Sequence, residues 1–254
     1  MTKVRDITNF LEGLFPLETA EGFDNPGLMV GSLDADVTSV AVCLDATKDV
    51  VRNCMELNMD LVLAHHPLIF GGISSISFDE PKGQIIRDLI RGGITCYAAH
   101  TNLDKNSEYS NNVLASAIGL TNIHEIDGIA YGVCGELESE VTLKDFCERV
   151  EEGLRSSGTI VYSLPETKVK KVFCQGGAFD EDSIPAIVSA GVDTVVSGEI
   201  KHHVMLDLID RGITPITAGH NATERVFMSN LCGVLDEAFP EVEFVYFDGR
   251  ERRF

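Results

Sequence analysis

The stretch Asn58-Met-Asp-Leu-Val-Leu-Ala-His-His66 joins an apolar strand pattern to a pair of histidines, and Pro67 follows at once. A short apolar run of this kind is typical of a parallel strand that is buried on both faces of its sheet. α/β sheets bind their ligands beyond the carboxyl ends of such strands. The stretch therefore predicts a parallel sheet that carries His65 and His66 at its ligand-binding edge.

A second copy of this pattern lies in the other half of the chain. Gly191-Val-Asp-Thr-Val-Val-Ser-Gly-Glu199 aligns with the first stretch without a gap. Each copy is followed by an Arg-Gly dipeptide, a histidine nine residues after that arginine and a carboxylate four residues after that histidine: His100 with Asp104, and His220 with Glu224. βαβ units share a general pattern by chance, but equal offsets between chemically equivalent residues indicate an internal duplication. The loop Pro67–Phe78 is then an insertion in the first copy.

Strand patterns alternate with amphipathic helix patterns along almost the whole chain, which predicts an α/β fold. We expect two similar α/β lobes from the internal repeat, each with a mainly parallel central sheet flanked by helices. The predicted strands span residues 39–44, 60–64, 95–99, 169–174, 194–197, 215–218 and 242–247. The predicted helices span residues 49–57, 82–91, 111–118, 143–154, 183–190, 201–210 and 223–237, after an N-terminal helix with Val4, Ile7, Leu11 and Leu14 on one face. The expected lobes are residues 1–129, completed by 225–254, and residues 130–224.

The composition is that of a globular protein, because 254 residues with 44% hydrophobic content allow a sizeable core. No apolar run approaches the roughly 18 residues of a membrane span, and the N-terminal residues lack the pattern of a signal peptide. The seven cysteines are scattered and form no Cys-x-x-Cys pair. We therefore expect a cytosolic protein with buried free thiols and no membrane partner.

The formal net charge is −20, from 40 acidic and 20 basic residues. Nucleic-acid binding needs concentrated lysine and arginine, so this charge disfavours nucleic acid as a partner. The basic cluster at Arg250–Arg253 predicts only a solvated tail. The sequence contains no G-x-G-x-x-G or Walker motif, so its loops do not by themselves indicate nucleotide binding.

Histidine and carboxylate side chains that cluster at strand ends are typical of a divalent-metal site. Neighbouring side chains of a straight strand diverge, so we expect His65 and His66 to reach two different ions. A carboxylate can bridge two ions through its two oxygens, and either Glu224 or Asp104 can take this role. Imidazole and carboxylate without thiolate suit Zn, Mn, Fe, Co or Ni. The expected cofactor is therefore two divalent ions per chain, whose open positions would hold an acidified, nucleophilic water.

The remaining histidines and one acid allow more than one interpretation. Glu199 occupies the repeat position of His66, so it either faces the site or is an ordinary acid favoured by the dipole at a helix start. His202 and His203 follow it and fit an exposed position equally well. For His124 we expect an ordinary surface or core histidine.

Four motifs make the chain similar to the GTP cyclohydrolase 1 type 2 homologues, also called the Nif-three-like family. They are Phe23-Asp-Asn-Pro-Gly-Leu-Met-Val-Gly31, His65-His-Pro-Leu-Ile-Phe70, His100-Thr-Asn-Leu-Asp104, and Gly219-His220 followed by Glu224. The resemblance covers essentially the whole chain. The sequence departs from the family at Phe23, where tryptophan is usual, and it leaves no room for the extra domain that some longer relatives insert.

The resemblance implies a dinuclear metal site, whose ligands fall on His65, His66, Asp104, His220 and Glu224. The implied assignments are His66 and Asp104 on one ion, His65 and His220 on the other, and Glu224 bridging both. His100 belongs to its motif without being implied as a ligand, and together with Glu199 it is a candidate for a supporting position next to the ligands. The resemblance also implies a homohexameric ring, a trimer of dimers, whose metal sites face an internal cavity.

The resulting hypothesis is a dinuclear metal-binding protein that acts as a metal-dependent hydrolase on small nucleotide, phosphoester or amide substrates. The family name points to GTP cyclohydrolase action, although no residue of this chain selects GTP. The alternative is a non-enzymatic metal-binding ring with a regulatory or scaffold role. A ring that threads nucleic acid is the least favoured reading because of the charge of −20.

Overall fold

The computed structural model describes residues 1–248, and the contacts among them divide the chain into two units. Among the described residues, unit 1 comprises residues 1–106 and 228–248, and unit 2 comprises residues 107–227. The expected solvated tail at Arg250–Arg253 lies outside the described residues. Within residues 1–248, every helix is too short or too polar to cross a lipid bilayer.

The elements alternate between strand and helix for most of the chain. The strands are β1 (Gly27–Val30), β2 (Ser39–Asp45), β3 (Leu61–His66), β4 (Thr95–Ala98), β5 (Thr121–His124), β6 (Val133–Thr142), β7 (Ile160–Val161), β8 (Lys168–Ala178), β9 (Thr194–Glu199), β10 (Thr214–Thr217) and β11 (Glu243–Phe247). The helices are α1 (Val4–Leu14), α2 (Lys48–Leu57), α3 (Pro81–Gly92), α4 (Thr101–Asp104), α5 (Asn111–Ala117), α6 (Leu143–Leu154), α7 (Ile184–Ser189), α8 (His202–Asp210) and α9 (His220–Ala238). All predicted strands and helices occur close to their expected bounds, whereas β1, β5, β6, β7 and α4 were not predicted.

The sheet of unit 1 has the strand order β1-β4-β3-β2-β11. Strands β4, β3, β2 and β11 run parallel, and β1 joins the edge antiparallel to β4. The apolar run Leu61–Ala64 is fully buried in the middle of this sheet, as expected for a parallel strand with both faces covered. Its polar continuation, His65 and His66, therefore reaches the carboxyl edge of the sheet.

The sheet of unit 2 has the order β5-β6-β8-β9-β10-β7. Strands β8, β9 and β10 run parallel, while the pairs β5–β6, β6–β8 and β10–β7 are antiparallel. This sheet is therefore mixed rather than mainly parallel as expected. The difference arises because the antiparallel strands β5, β6 and β7, which were not predicted, extend this sheet.

The two sheets share a common arrangement around their parallel strands. In each, a short antiparallel strand (β1 or β7) flanks a parallel strand (β4 or β10) that leads directly to His100 or His220. The next strand inward (β3 or β9) ends in His66 or Glu199. The expected α/β fold with two similar lobes is thus confirmed.

The division between the units begins at residue 107, whereas the sequence favoured a boundary near 129. Helix α5 packs on β8, and strand β5 pairs with β6, so both belong to unit 2. One anchor is the amide of Gly176, which donates to Asn111 Oδ1 over 2.9 Å. The polar loop after α5 is the stronger local break in the sequence, but long-range strand pairing decides which unit the segment joins.

Helix ends follow the local sequence closely. Thr142 Oγ1 accepts a hydrogen bond from the amide of Asp145 over 3.2 Å and caps the start of α6. Thr47 caps α2 in the same way through the amide of Val50. Gly93 ends α3 in the left-handed conformation, with φ of 68°, which glycine adopts without steric cost.

The seven cysteines are free thiols, and all except the half-buried Cys147 are buried. Burial raises the pKa of the Cys54 thiol to about 11 and that of Cys96 to about 12. Thiols of this kind remain protonated and are poor nucleophiles and metal ligands. The expectation of buried free thiols is confirmed.

Candidate metal centre

The adjacent histidines at the end of β3 lie in different environments. His65 is fully buried, whereas about a quarter of the His66 side chain is exposed. Their ring centroids are 5.0 Å apart and the ring planes are inclined by 48°. The two rings therefore lie side by side rather than diverging as expected for neighbouring residues of a straight strand, and their ligand nitrogens lie within 4.8 Å of each other.

The motif His100-Thr-Asn-Leu-Asp104 places two more donors beside this pair. Strand β4 pairs in parallel with β3, and α4 begins directly after His100. Asn102 Nδ2 donates to the carbonyl of Phe15 over 2.8 Å, which fixes α4 against the end of α1. One helical turn then carries the chain from His100 to Asp104, whose Oδ1 lies 3.4 Å from His65 Nε2.

Three imidazoles of unit 1 form a compact group. The ligand nitrogens of His65, His66 and His100 lie within 4.8 Å of one another. The centroid of the His100 ring is 5.1 Å from that of His65 and 5.5 Å from that of His66. The family resemblance did not imply His100 as a ligand, yet the structure gives it donor geometry equivalent to that of the doublet.

Each histidine of this group is held through its Nδ1 atom. His65 Nδ1 donates to the carbonyl of Ala99 over 2.8 Å. His66 Nδ1 donates to Asp45 Oδ1, also over 2.8 Å. Such bonds fix the tautomer in which Nε2 carries the lone pair, and they are a regular feature of histidines that bind metal.

Asp24 holds the third imidazole in the same way. Its Oδ1 accepts from His100 Nδ1 over 2.8 Å, and its Oδ2 accepts from the backbone amide of Thr101 over 3.1 Å. Burial acts to raise the pKa of Asp24, but the hydrogen bonds from His100 and Thr101 outweigh it and hold the pKa well below its usual range. The carboxylate therefore stays ionised and stabilises a positive charge on or beyond the imidazole.

Unit 2 carries the other two predicted ligands on the first turn of α9. His220 Nε2 lies 3.0 Å from Glu224 Oε2, and His220 Nδ1 donates to Glu199 Oε1 over 3.0 Å. Glu199, at the end of β9, thus holds the Nδ1 of His220 in the same way as Asp24 holds the Nδ1 of His100. Glu224 is only 5% exposed.

Glycines make room for this second set of donors. Gly177, with φ of 64°, lies where β8 bulges away from regular pairing with β9. A Cβ atom at Gly177 would come within 2.1 Å of Glu224 Oε1. At Gly198, the repeat position of His65, a Cβ atom would lie 2.7 Å from the Cα of His220. The second copy of the repeat therefore has no space for a histidine at that position.

The five predicted ligands divide between the units: His65, His66 and Asp104 belong to unit 1, and His220 and Glu224 belong to unit 2. Within each unit, imidazole nitrogens lie beside a carboxylate oxygen, and thiolate takes no part in either set. This donor chemistry fits a divalent ion of the Zn, Mn, Fe, Co or Ni type. The donors present could therefore hold a divalent metal ion.

The other candidate histidines lie apart from these donor sets within unit 2. His203 Nε2 pairs with Glu181 Oε2 over 3.1 Å, and both side chains are largely exposed. His202 is also exposed. His124 is exposed and its Nδ1 donates to the carbonyl of Asn122. An ordinary surface role accounts for each of the three.

Two supporting carboxylates were missed in the sequence, Asp24 and Asp45. Asp45 had a usable signal, because it ends β2, the parallel neighbour of β3, and pairs in register with His66. Asp24 had none beyond membership of the motif that starts at Phe23. It lies in a loop 76 residues before His100, and only the fold brings the two together.

Comparison with known proteins identifies the family of the chain. The sequence model of Duf34/NIF3 (NGG1p interacting factor 3) matches residues 2–252. A relative from Clostridium acetobutylicum, named GTP cyclohydrolase 1 type 2 homolog, is 32% identical over 229 residues, covering 87% of this chain and 85% of the relative. The crystal structure of the Staphylococcus aureus hypothetical protein SA1388 matches with a TM-score of 0.90 and 28% identity, covering 99% of each chain. The resemblance read from the motifs is confirmed, and the chain belongs to the Duf34/NIF3 family.

Proposed function

We propose that this protein binds two divalent metal ions and acts as a metal-dependent hydrolase of small nucleotide, phosphoester or amide substrates. The proposed ligands are His65, His66, Asp104, His220 and Glu224. The observation that carries the proposal is the hydrogen-bonding arrangement that four of the histidines share. Four imidazoles, those of His65, His66, His100 and His220, have Nδ1 bound to a fixed acceptor, so that Nε2 presents its lone pair.

The chain's own residues prepare these positions for cations. Asp45 and Glu199 accept hydrogen bonds from the Nδ1 atoms of His66 and His220, and each holds its imidazole in the tautomer whose Nε2 can bind a metal. Asp104 and Glu224 add carboxylate oxygens beside the Nε2 atoms of His65 and His220. Divalent ions bound to such donors supply Lewis acidity and lower the pKa of water to about 7.

The substrate class follows from charge and from the relatives. With a net charge of −20, the protein repels polyanions except where bound cations invert the local potential, so small phosphate-bearing molecules are favoured over DNA. Curated relatives carry the name GTP cyclohydrolase 1 type 2 homolog, which supports nucleotides as the first compounds to test.

The first test is metal content. Protein purified without chelator and reconstituted with Mn, Zn, Fe or Ni should contain about two ions per chain, because each unit contributes imidazole and carboxylate donors that suit a divalent ion. Elemental analysis on protein of known concentration measures this ratio. His124→Ala, a substitution at an exposed histidine, serves as the control and should leave it unchanged. A ratio clearly below one with every metal would contradict the proposal.

We also propose that the chain assembles in the cytoplasm into the homohexameric ring implied by its family resemblance. Light scattering coupled to size-exclusion chromatography should then give the mass of six chains of 27.7 kDa each. A mass of one or two chains at micromolar concentration, with metal bound, would contradict the ring. The proposed metal ligands would not be affected by that result, since their support comes from contacts within each unit.

A further inference from the structure

The segment Phe23-Asp24-Asn25 organises the loop that follows the histidine doublet. Asn25 Nδ2 donates to the carbonyl of Ile69 over 2.7 Å, which ties the loop to the first motif. Asp24 holds His100, as described above. The ring of Phe23 then lies against that of Phe70, with centroids 6.3 Å apart and planes inclined by 52°. Three consecutive residues thus fix the positions of an aromatic ring, a loop and a candidate donor.

The aromatic pair formed by Phe23 and Phe70 is exposed despite these anchors. Phe23 is 67% exposed and Phe70 is 52% exposed. The ring of Phe70 also contacts the imidazole of His100 edge-on, with centroids 6.0 Å apart and planes at 80°. Two adjacent phenyl rings that are held in place and exposed present apolar surface whose burial by a ligand or partner would be favourable.

We infer that the Phe23–Phe70 pair recognises a planar heteroaromatic ring, of the nucleobase class, in the substrate. This inference rests on the proposed function and deepens it by naming the residues that select the substrate. The pair contacts one of the three grouped imidazoles, so a ligand that stacks on it keeps its polar end close to the donor nitrogens. A nucleotide has this form, with a flat uncharged ring at one end and phosphate at the other.

Physical chemistry favours a base over other occupants of this pair. A nucleobase is uncharged, so the net charge of −20 does not oppose its approach. Aromatic faces bind bases by stacking with little preference among them, because every base has a π face. Recognition through the pair would therefore distinguish nucleotides from sugar phosphates, but it would discriminate weakly between adenine and guanine.

The chain offers a clean reporter for this contact because it contains no tryptophan. Phe70→Trp places a single indole at the proposed stacking position. Phe78→Trp is the matched control, since Phe78 lies in the same loop, is 56% exposed and packs on the guanidinium of Arg87 at 5.4 Å. Both variants are titrated with AMP and with ribose 5-phosphate, which has the same sugar phosphate but no base. Each titration is made with metal-loaded and with chelator-treated protein.

We expect AMP to quench the Phe70→Trp fluorescence in a saturable manner, while ribose 5-phosphate leaves it unchanged and Phe78→Trp responds to neither. Calorimetry should show that Phe70→Ala and Phe23→Ala weaken AMP binding by roughly tenfold, in the range of one lost stacking contact. Their affinity for ribose 5-phosphate and their metal content should stay at the wild-type level.

Several results would overturn the inference. It would be contradicted if AMP and ribose 5-phosphate bound equally well, or if AMP quenched Phe70→Trp and Phe78→Trp equally. It would also be contradicted if AMP did not bind at millimolar concentration. A smaller assembly in Phe23→Ala or Phe70→Ala would show that the pair is covered by another copy of the chain instead. Failure of the proposed hydrolase is recognised separately: base-dependent quenching would persist, even in chelator-treated protein, while no substrate is turned over.

Discussion

His66→Ala should abolish hydrolysis, lowering kcat/KM at least a hundredfold on any substrate that the metal-loaded protein turns over, while fold and assembly survive. A supporting residue next to a metal ligand is typically worth 10- to 100-fold, and loss of the ligand itself should cost at least as much. The fold should survive because His66 is partly exposed at a strand end, outside the buried core. The measurement is a rate comparison on a panel of nucleotides, phosphodiesters and dipeptides, with circular dichroism as the test of folding.

Rates on the same panel measure how much the residues that support the ligands contribute to hydrolysis. Asp45→Ala removes the acceptor of His66 Nδ1 and should fall between wild type and His66→Ala. Asp49→Ala removes an equal charge from an exposed ion pair with Arg52 and should have no effect. If no compound on the panel turns over with any metal, and metal changes only binding or assembly, the hydrolase proposal gives way to the regulatory or scaffold alternative.

Glu224→Ala should lower the metal content from about two ions to below one, whereas Asp104→Ala should loosen mainly one ion. The family resemblance implies that Glu224 binds both ions, and a carboxylate shared by two cations offsets charge on both. Two observations support a role for Glu224 as a ligand. Its side chain is buried beside His220, and Gly177 leaves the space that the Glu224 carboxylate occupies. Elemental analysis combined with metal titration of each variant makes the comparison.

Two further variants separate charge from packing in this experiment. Glu224→Gln keeps the shape of the buried side chain but carries no charge, so it should also lose metal while its thermal stability stays near that of the wild type. Glu237→Ala removes an exposed acid from the same helix and should keep both ions. Equal loss of a single ion in Glu224→Ala and Asp104→Ala would contradict a bridging Glu224.

Much of the fold was predictable because the apolar composition of its central strands indicates that they are buried. The run Leu61–Ala64 is continuously apolar and becomes the fully buried middle of β3. Strands β5 and β6 escaped prediction because their polar residues face solvent and their structure depends on pairing. Gly135 illustrates the point: a Cβ atom there would lie 2.9 Å from Leu120 Cβ, a requirement that only the folded sheet reveals.

The donor residues were predictable for a related reason. Ligands of α/β sheets lie beyond the carboxyl ends of parallel strands, so a histidine after an apolar run already indicates its place. The repeat added His220 and Glu224, since equal spacing implies equal position. His100 could not be ranked in this way, because its grouping with the doublet depends on how the chain turns after β4.

By itself, the sequence determined the α/β class, the internal duplication, the free thiols and which histidines and carboxylates lie at strand ends, because these follow from local burial patterns and spacing. Only the tertiary structure decided which nitrogen of each imidazole faces outward and which acids hold it. Asp24 reaches His100 across 76 residues, and Asp45 reaches His66 across 21. Contacts between segments that are distant in the chain arise from packing, and a single sequence carries no local signal for them.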